Sequence, residues 1–261
     1  MNRPAKKSES HAAPALRLFD CYAHAGYVYR PSLAPALTAE DLLAEMDRCG
    51  VDEALVHPSS DGSSPVVSNP EMVEFCRPHR RLHAVWNLMP PQTGEMPAAE
   101  LFAGMRKHGV LAVAAYPDES RYVLNGITMG TILEPMVKKR IPLFLRGGGA
   151  LWERITNVLK EFPRLIVIAA EYGCWGQDRY IRPLMERFEH FYIETSTLEL
   201  DGGIPSLVKR CGPRRIVFGS NYDRRPMGGA SLLLRNLDVD AKAKELVAHG
   251  NLERLLKESK P

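Results

Sequence analysis

The chain has 261 residues, of which 45% are hydrophobic and 25% are charged, and its formal net charge is +3. This balance is ordinary for a globular protein and excludes a disordered or fibrous chain. The small net charge, the lack of a basic stripe and the lack of any apolar run near ~18 residues argue against nucleic-acid and membrane partners.

The first fifteen residues, MNRPAKKSESHAAPA, lack the apolar core of a signal peptide. We therefore expect residues 1–15 to form a disordered tail. The chain has five cysteines, an odd number, and none of them forms a C-x-x-C pair. This usage is typical of reduced thiols, so the sequence predicts a cytoplasmic protein without a disulfide framework.

From Leu16 onward, eight short apolar runs alternate with segments that have helical periodicity. Near-continuous apolar runs are typical of strands that are buried on both faces in a parallel sheet. The runs are LRLFDCY, EALVHP, LHAVWNL, LAVAAY, IPLFLRG, LIVIAAE, FYIETS and RIVFGSN.

The segments between these runs carry helix start and stop signals. Thr38 and Asp41 predict a capping box, and Gly50 predicts the end of that helix. Asn69 followed by Pro70 predicts a second helix that starts with proline. Eight strands, each followed by a helix, predict a single (β/α)8 TIM barrel over residues 16–261. An open, doubly wound sheet is the alternative.

In such a barrel, the chemistry lies at the carboxyl ends of the strands and in the loops that follow. Polar residues at the predicted strand ends are therefore the candidates for a functional site. They are Asp20, Tyr22, His24, His57, Asn87, Tyr116, Arg146, Glu171, Ser196, Ser220, Asn221 and Asp223.

From about Leu18 to Leu256 the chain resembles the amidohydrolase-related family, in the branch that contains decarboxylases and lactonases. The order and spacing of several segments carry this resemblance. They are FDCYAHAG, MDRCGVDEALVHP, IPLFLRGGG, EFPRLIVIAAEYG, FYIETST, RIVFGSNYD and ELVAHGNLERLL. The resemblance implies a (β/α)8 barrel with hydrolase-like activity, and it implies a homodimer.

The sequence departs from the family's pattern at most of the usual metal-binding positions. The two histidine positions of the first strand hold Tyr22 and His24. The histidine positions of the fifth and sixth strands hold Arg146 and Glu171, and the aspartate position of the eighth holds Asn221. Among these positions, only His24 keeps a residue type that the family uses as a ligand.

A divalent metal needs several imidazole or carboxylate groups that converge on one point. A guanidinium cannot act as a ligand and stays positively charged. The sequence therefore predicts that the protein works without a metal or another cofactor. A rearranged ligand set of His24, Glu171 and Asp223 is the alternative.

Because Arg146 and Glu171 end consecutive strands, we expect their side chains to meet where a metal would lie. The pair either serves a reaction or is a buried ion pair with a structural role only. Arg146, together with Arg224 and Arg225 after the eighth strand, is predicted to bind an anionic small molecule such as a carboxylate. A solvated surface pair is the alternative for Arg224 and Arg225.

The candidates for a general base are Glu171 first, then His24, with Asp223 as a further carboxylate. Tyr22 is expected to donate a hydrogen bond to a developing negative oxygen, and Asn221 to orient the substrate. His57 is expected to be a hydrogen-bonded residue at the rim.

Three functions remain open from the sequence. The first is a metal-independent hydrolase that acts on a small carboxylate-bearing ester or lactone. The second is a barrel without activity that binds a ligand or supports an active homologue. The third is a metal-dependent hydrolase or decarboxylase with unusual ligands. Fold alone does not choose among them.

Overall fold

The computed structural model describes residues 16–25, 38–58, 64–147, 150–199 and 202–261. The predicted tail over residues 1–15 lies outside these ranges. Eight parallel strands pair in chain order, each with the next one along the sequence. The strands are β1 (Phe19–Ala25), β2 (Glu53–Pro58), β3 (Leu82–Leu88), β4 (Ala112–Ala115), β5 (Leu143–Arg146), β6 (Val167–Ala170), β7 (Phe191–Glu194) and β8 (Ile216–Val217).

The sheet curls so that its first and last strands meet. The backbone N–H of Cys21 in β1 donates to the carbonyl of Phe218, just after β8, at 2.8 Å. The N–H of Asn221 donates to the carbonyl of Tyr22, also at 2.8 Å. In an open sheet these two strands would not contact each other, so the predicted TIM barrel is confirmed and the doubly wound alternative is wrong.

Helices follow the strands and form the outer layer. In the described part of the chain, none of them is long and apolar enough to cross a membrane. The α-helices are α1 (Ala39–Cys49), α2 (Pro65–Cys76), α3 (Ala98–His108), α4 (Gly126–Lys139), α5 (Leu151–Glu161), α6 (Asp178–Arg187), α7 (Gly203–Cys211), α8 (Met227–Arg235), α9 (Ala241–Glu245) and α10 (Asn251–Glu258), and a π-helical turn (Leu246–Gly250) joins the last two.

The predicted signals of α1 are confirmed. The Thr38 hydroxyl accepts from the Asp41 N–H at 3.1 Å, the Asp41 carboxylate accepts from the Thr38 N–H at 3.2 Å, and Gly50 ends the helix at φ 67°. The predicted start of the next helix at Asn69 is wrong. Proline does take the first helical position of α2, but it is Pro65, five residues earlier.

Side chains of the strands alternate between two apolar layers, as the pleat of a strand requires. One layer lies between the strands and the helices and includes Val113 and Val167. The other fills the barrel interior and includes Leu55, Phe144 and Ile168. The interior is therefore a packed core rather than a pore, and the space for chemistry lies at the carboxyl ends of the strands, called the barrel mouth below.

Candidate active site

The barrel mouth holds one carboxylate between two guanidinium groups. Arg146 is the last residue of β5, Glu171 follows β6, and Arg224 lies in the segment after β8. Arg224 Nη1 lies 2.8 Å from Glu171 Oε2, and Arg146 Nη1 lies 3.7 Å from the same oxygen. The structure thus brings together three of the predicted site residues, called the charge cluster below.

Arg146 is held from a second side. It forms an ion pair with Glu119 and its guanidinium lies 5.5 Å from the centroid of the Tyr116 ring. The side chain is only 16% exposed. Burial raises the pKa of Glu119, but the hydrogen bond and the charge of Arg146 outweigh it and leave that pKa below its ordinary value. Arg146 is therefore fixed as a cation that faces the mouth.

The backbone at Glu171 adopts an uncommon conformation. Its φ is 50°, in the left-handed region that side chains other than glycine rarely occupy. The neighbouring segment comes very close, because a Cβ added to Gly147 would lie 2.0 Å from the Glu171 carbonyl oxygen. Glycine directly after Arg146 is thus required for β5 and the Glu171 segment to approach each other.

A buried carboxylate, Glu194 at the end of β7, holds the Glu171 segment in place. Its Oε1 accepts from the Glu171 N–H at 2.9 Å and from the Ser196 hydroxyl at 2.8 Å, and its Oε2 accepts from the Ser196 N–H at 2.5 Å. Glu194 is 0% exposed, and burial raises its pKa to about 7. Sequence reasoning missed this residue, although a glutamate within the apolar run FYIETS is a signal that could have indicated it.

Asp20 in β1 has the same kind of role two strands further round the barrel, because β7 and β1 both flank β8. Its carboxylate accepts from the N–H of Tyr22 at 2.9 Å, from the N–H of Ser220 at 2.9 Å, and from the Ser220 hydroxyl. Burial raises its pKa to about 6. Asp20 therefore ties β1 to the segment after β8 that carries Arg224.

Beneath the charge cluster lie three buried polar rings, Tyr22, His24 and His57, with exposed fractions of 1%, 0% and 0%. The Tyr22 ring centroid is 4.6 Å from that of His24 and 4.7 Å from that of His57. The Tyr22 hydroxyl and Nδ1 of His57 make no hydrogen bond to described residues, and the His24 ring has no side-chain partner and only a weak interaction with the backbone of Pro58. This group is called the polar floor below.

Electrostatics keep the polar floor neutral. Burial, helped by the charges of Arg224 and Arg146, lowers the pKa of His24 well below 6.5. Burial also raises the pKa of Tyr22 well above 10, and the nearby Tyr116 and Glu171 act in the same direction. At neutral pH, His24 is thus an uncharged imidazole that can accept a proton, and Tyr22 is a hydroxyl that can donate a hydrogen bond.

The remaining predicted site residues lie in the segment after β8. Asn221 is 1% exposed and has φ 54°, and Asp223 is 8% exposed. The N–H of His24 donates to the carbonyl of Tyr222 at 2.5 Å, which holds this segment against β1. Arg225 forms an ion pair with Glu199 rather than with Glu171, so the structure does not bring it into the charge cluster.

The residues at the mouth do not suit a divalent cation. Within the described ranges, no group of three or more His, Cys, Asp or Glu side chains is arranged to hold a metal ion. Glu171, one of the alternative ligands, is paired with two guanidinium groups, and positive charge at this point opposes a cation. The donor set therefore fits an anion better than a metal.

No family model matches the sequence, and no curated protein matches it significantly. Solved structures do match. An uncharacterized TIM-barrel protein from Bordetella bronchiseptica has a TM-score of 0.74 at 18% identity, covering 93% of this chain and 99% of that one. The 2,6-dihydroxybenzoate decarboxylase from Rhizobium has a TM-score of 0.72 at 14% identity, covering 92% and 98%.

A third similar structure is the 5-carboxyvanillate decarboxylase from Novosphingobium aromaticivorans, which contains bound manganese and a hydroxy-methoxy-nitrobenzoic acid. Its TM-score is 0.70 at 13% identity, and the match covers 93% of this chain and 97% of that one. These neighbours are barrels of the amidohydrolase superfamily. The likeness shows that the chain shares their fold, a (β/α)8 barrel.

Proposed function

We propose that this protein is a metal-independent hydrolase that binds a small carboxylate-bearing ester or lactone at the barrel mouth. The observation that carries the proposal is the charge cluster, in which Arg146 and Arg224 converge on the Glu171 carboxylate. Because the group between the two guanidinium groups is the carboxylate of Glu171, we infer that they are arranged to bind a carboxylate. A carboxylate of the substrate would replace Glu171 as the partner of one or both arginines.

The contacts favour His24 over Glu171 as the proton acceptor. Glu171 Oε2 already contacts both guanidinium groups, whereas neither nitrogen of His24 is hydrogen-bonded to a described side chain. The positive charges of the two arginines help to lower the pKa of His24. A bound substrate carboxylate would offset those charges, and so it would make His24 a stronger base when substrate is present.

In the proposed reaction, a water oxygen attacks the carbonyl carbon while His24 takes one of the water protons. The Tyr22 hydroxyl donates a hydrogen bond to the carbonyl oxygen as negative charge develops there. The carbon–oxygen bond to the leaving group then breaks, and His24 returns its proton to the departing alkoxide. Every proton is thereby accounted for without a metal or a cofactor.

Binding is tested with benzoate, because the similar structures include a dihydroxybenzoate decarboxylase and a barrel with a bound substituted benzoic acid. Calorimetric titration of the wild-type protein should show one saturable site. Arg146→Met should weaken binding at least ~30-fold, because loss of a partner in a buried charge pair costs about 2 kcal/mol or more. The control is Arg210→Met, which removes an exposed arginine paired with Glu186 on the outer helices and should leave affinity unchanged. Equal affinities for all three proteins would contradict the proposal.

Turnover is tested with esters and lactones that carry a carboxylate. His24→Gln should lower kcat/KM at least ~100-fold, the usual contribution of a general base, while Glu171→Gln should retain most of the activity. The opposite pattern would show that Glu171 is the base, as the sequence analysis expected first. Benzoate binding without turnover of any of these substrates would favour the alternative of a barrel that only binds its ligand.

A further inference from the structure

His57 lies inside the site rather than at its rim, where the sequence analysis placed it. It is the fifth residue of β2 and is 0% exposed. Its ring packs against Tyr22 at 4.7 Å, Phe144 at 4.8 Å and His24 at 5.6 Å between centroids. The strand therefore directs this imidazole into the polar floor.

The hydrogen bonding of His57 fixes which of its nitrogens carries the hydrogen. Nε2 lies 3.1 Å from the backbone carbonyl oxygen of Cys21. A carbonyl can only accept, so Nε2 must donate and Nδ1 must hold the lone pair of a neutral ring. Burial lowers the pKa of His57 to about 3, which keeps the ring neutral at ordinary pH.

Nδ1 of His57 is thus a buried acceptor, and it makes no hydrogen bond to a described residue. Buried polar atoms nearly always have a partner in folded proteins, and exceptions concentrate where a ligand or a water binds. An acceptor excludes a carboxylate, which has no hydrogen to donate. The complementary group is a neutral O–H. It would lie close to Arg224, whose positive charge helps to lower the pKa of both His57 and His24.

We propose that His57 Nδ1 is a binding group of the site that accepts a hydrogen bond from an O–H held beneath the charge cluster. This inference rests on the proposed function, because the charge cluster anchors the same ligand. The O–H belongs either to the attacking water or to a hydroxyl of the substrate. If it is water, one O–H donates to His57, the other proton passes to His24, and the oxygen lone pair is left free to attack the carbonyl.

Two substitutions separate the two nitrogens of the ring. His57→Gln places an amide N–H where Nε2 lies, so it keeps the bond to the Cys21 carbonyl and removes the acceptor at Nδ1. His57→Asn places its amide oxygen where Nδ1 lies and loses the bond to Cys21. His57→Gln therefore tests whether the acceptor at Nδ1 binds the ligand. His57→Asn is the matched control, because it keeps that acceptor and loses only the structural bond to Cys21.

Affinities for benzoate and its 2-, 3- and 4-hydroxy derivatives are measured on the three proteins by calorimetry. If the substrate supplies the hydroxyl, one derivative should bind the wild type about 5- to 10-fold more tightly than benzoate. That gain should vanish in His57→Gln and persist in His57→Asn. If water supplies it, no derivative gains, and a crystal structure should show an ordered water at hydrogen-bond distance from Nδ1 that is missing in His57→Gln.

If the wild type shows neither a hydroxyl-dependent gain nor such a water, the role of His57 is overturned. The anion site is still supported in that case, provided that benzoate binds and Arg146→Met weakens that binding. A gain that survives in His57→Gln would overturn it as well. If the wild type binds no benzoate derivative, the anion site itself is refuted and this inference fails with it.

Discussion

Acidification from pH 7 to pH 4 is expected to destabilise the wild-type protein by about 3 kcal/mol through His57 alone. Burial holds the pKa of His57 at about 3 in the folded state, against 6.5 for an ordinary histidine. The folded protein therefore binds this proton more weakly than the unfolded chain does. Stability is lost as the pH falls below 6.5, and the loss is complete near pH 3.

The free energy of unfolding is measured by urea titration at several pH values for the wild type and for His57→Gln. The difference between the two proteins isolates this residue, because His24, Asp20 and Glu194 titrate in both. The wild type should lose stability relative to the variant as the pH falls. A difference that is constant between pH 7 and pH 4 would show that His57 is not buried as a neutral ring.

Glu194 should produce a pH dependence of the opposite sign. Burial raises its pKa from 4.5 to about 7, so the folded protein binds the proton more tightly than the unfolded chain. The stabilisation is fully present below pH 4.5 and is lost as the pH rises through 7. Between pH 5 and pH 8, the wild type should lose about 2 to 3 kcal/mol of stability relative to Glu194→Gln, which has no proton to release.

The same unfolding titrations at pH 5 and pH 8 check this expectation. Glu258→Gln is the control, since Glu258 is a partly exposed glutamate that pairs with Arg140 on the outer layer. It should show no comparable change across this range. A Glu194→Gln variant that tracks the wild type at both pH values would mean that this carboxylate is ionised throughout, and so that its three hydrogen bonds outweigh its burial.

The fold was predictable because its strands and helices each have a local signal in the sequence. Near-continuous apolar runs such as LIVIAAE are typical of strands in a sheet covered on both faces, and Thr38 and Gly50 mark the ends of their helix. The error at Asn69 has a physical cause. The side chain of Asn69 accepts a hydrogen bond from the backbone N–H of Asn87 in β3 at 2.7 Å. This tertiary contact engages the side chain that the sequence suggested as a helix cap.

The site was predictable only in part. Arg146 and Glu171 could be expected to meet because they end neighbouring strands, and Arg224 follows β8 in the region where barrels bind anions. The apolar run around Glu194 could have indicated a buried carboxylate, but the partners of Glu119 and Glu194 could not be predicted, since these contacts join segments far apart in sequence. His57 was misplaced for the same reason, because its depth depends on how Tyr22 and Phe144 pack around it.

The central claim is that Arg146 and Arg224 make the barrel mouth a site for an anion rather than for a metal, and elemental analysis tests it most directly. The protein is produced in medium supplemented with zinc and manganese, purified without chelators, and analysed for metal content per chain. We expect no stoichiometric metal, and we expect benzoate affinity to be unchanged by added zinc or manganese. About one tightly bound ion per chain, lost on replacing His24 or Glu171, would contradict the account and make these side chains metal ligands.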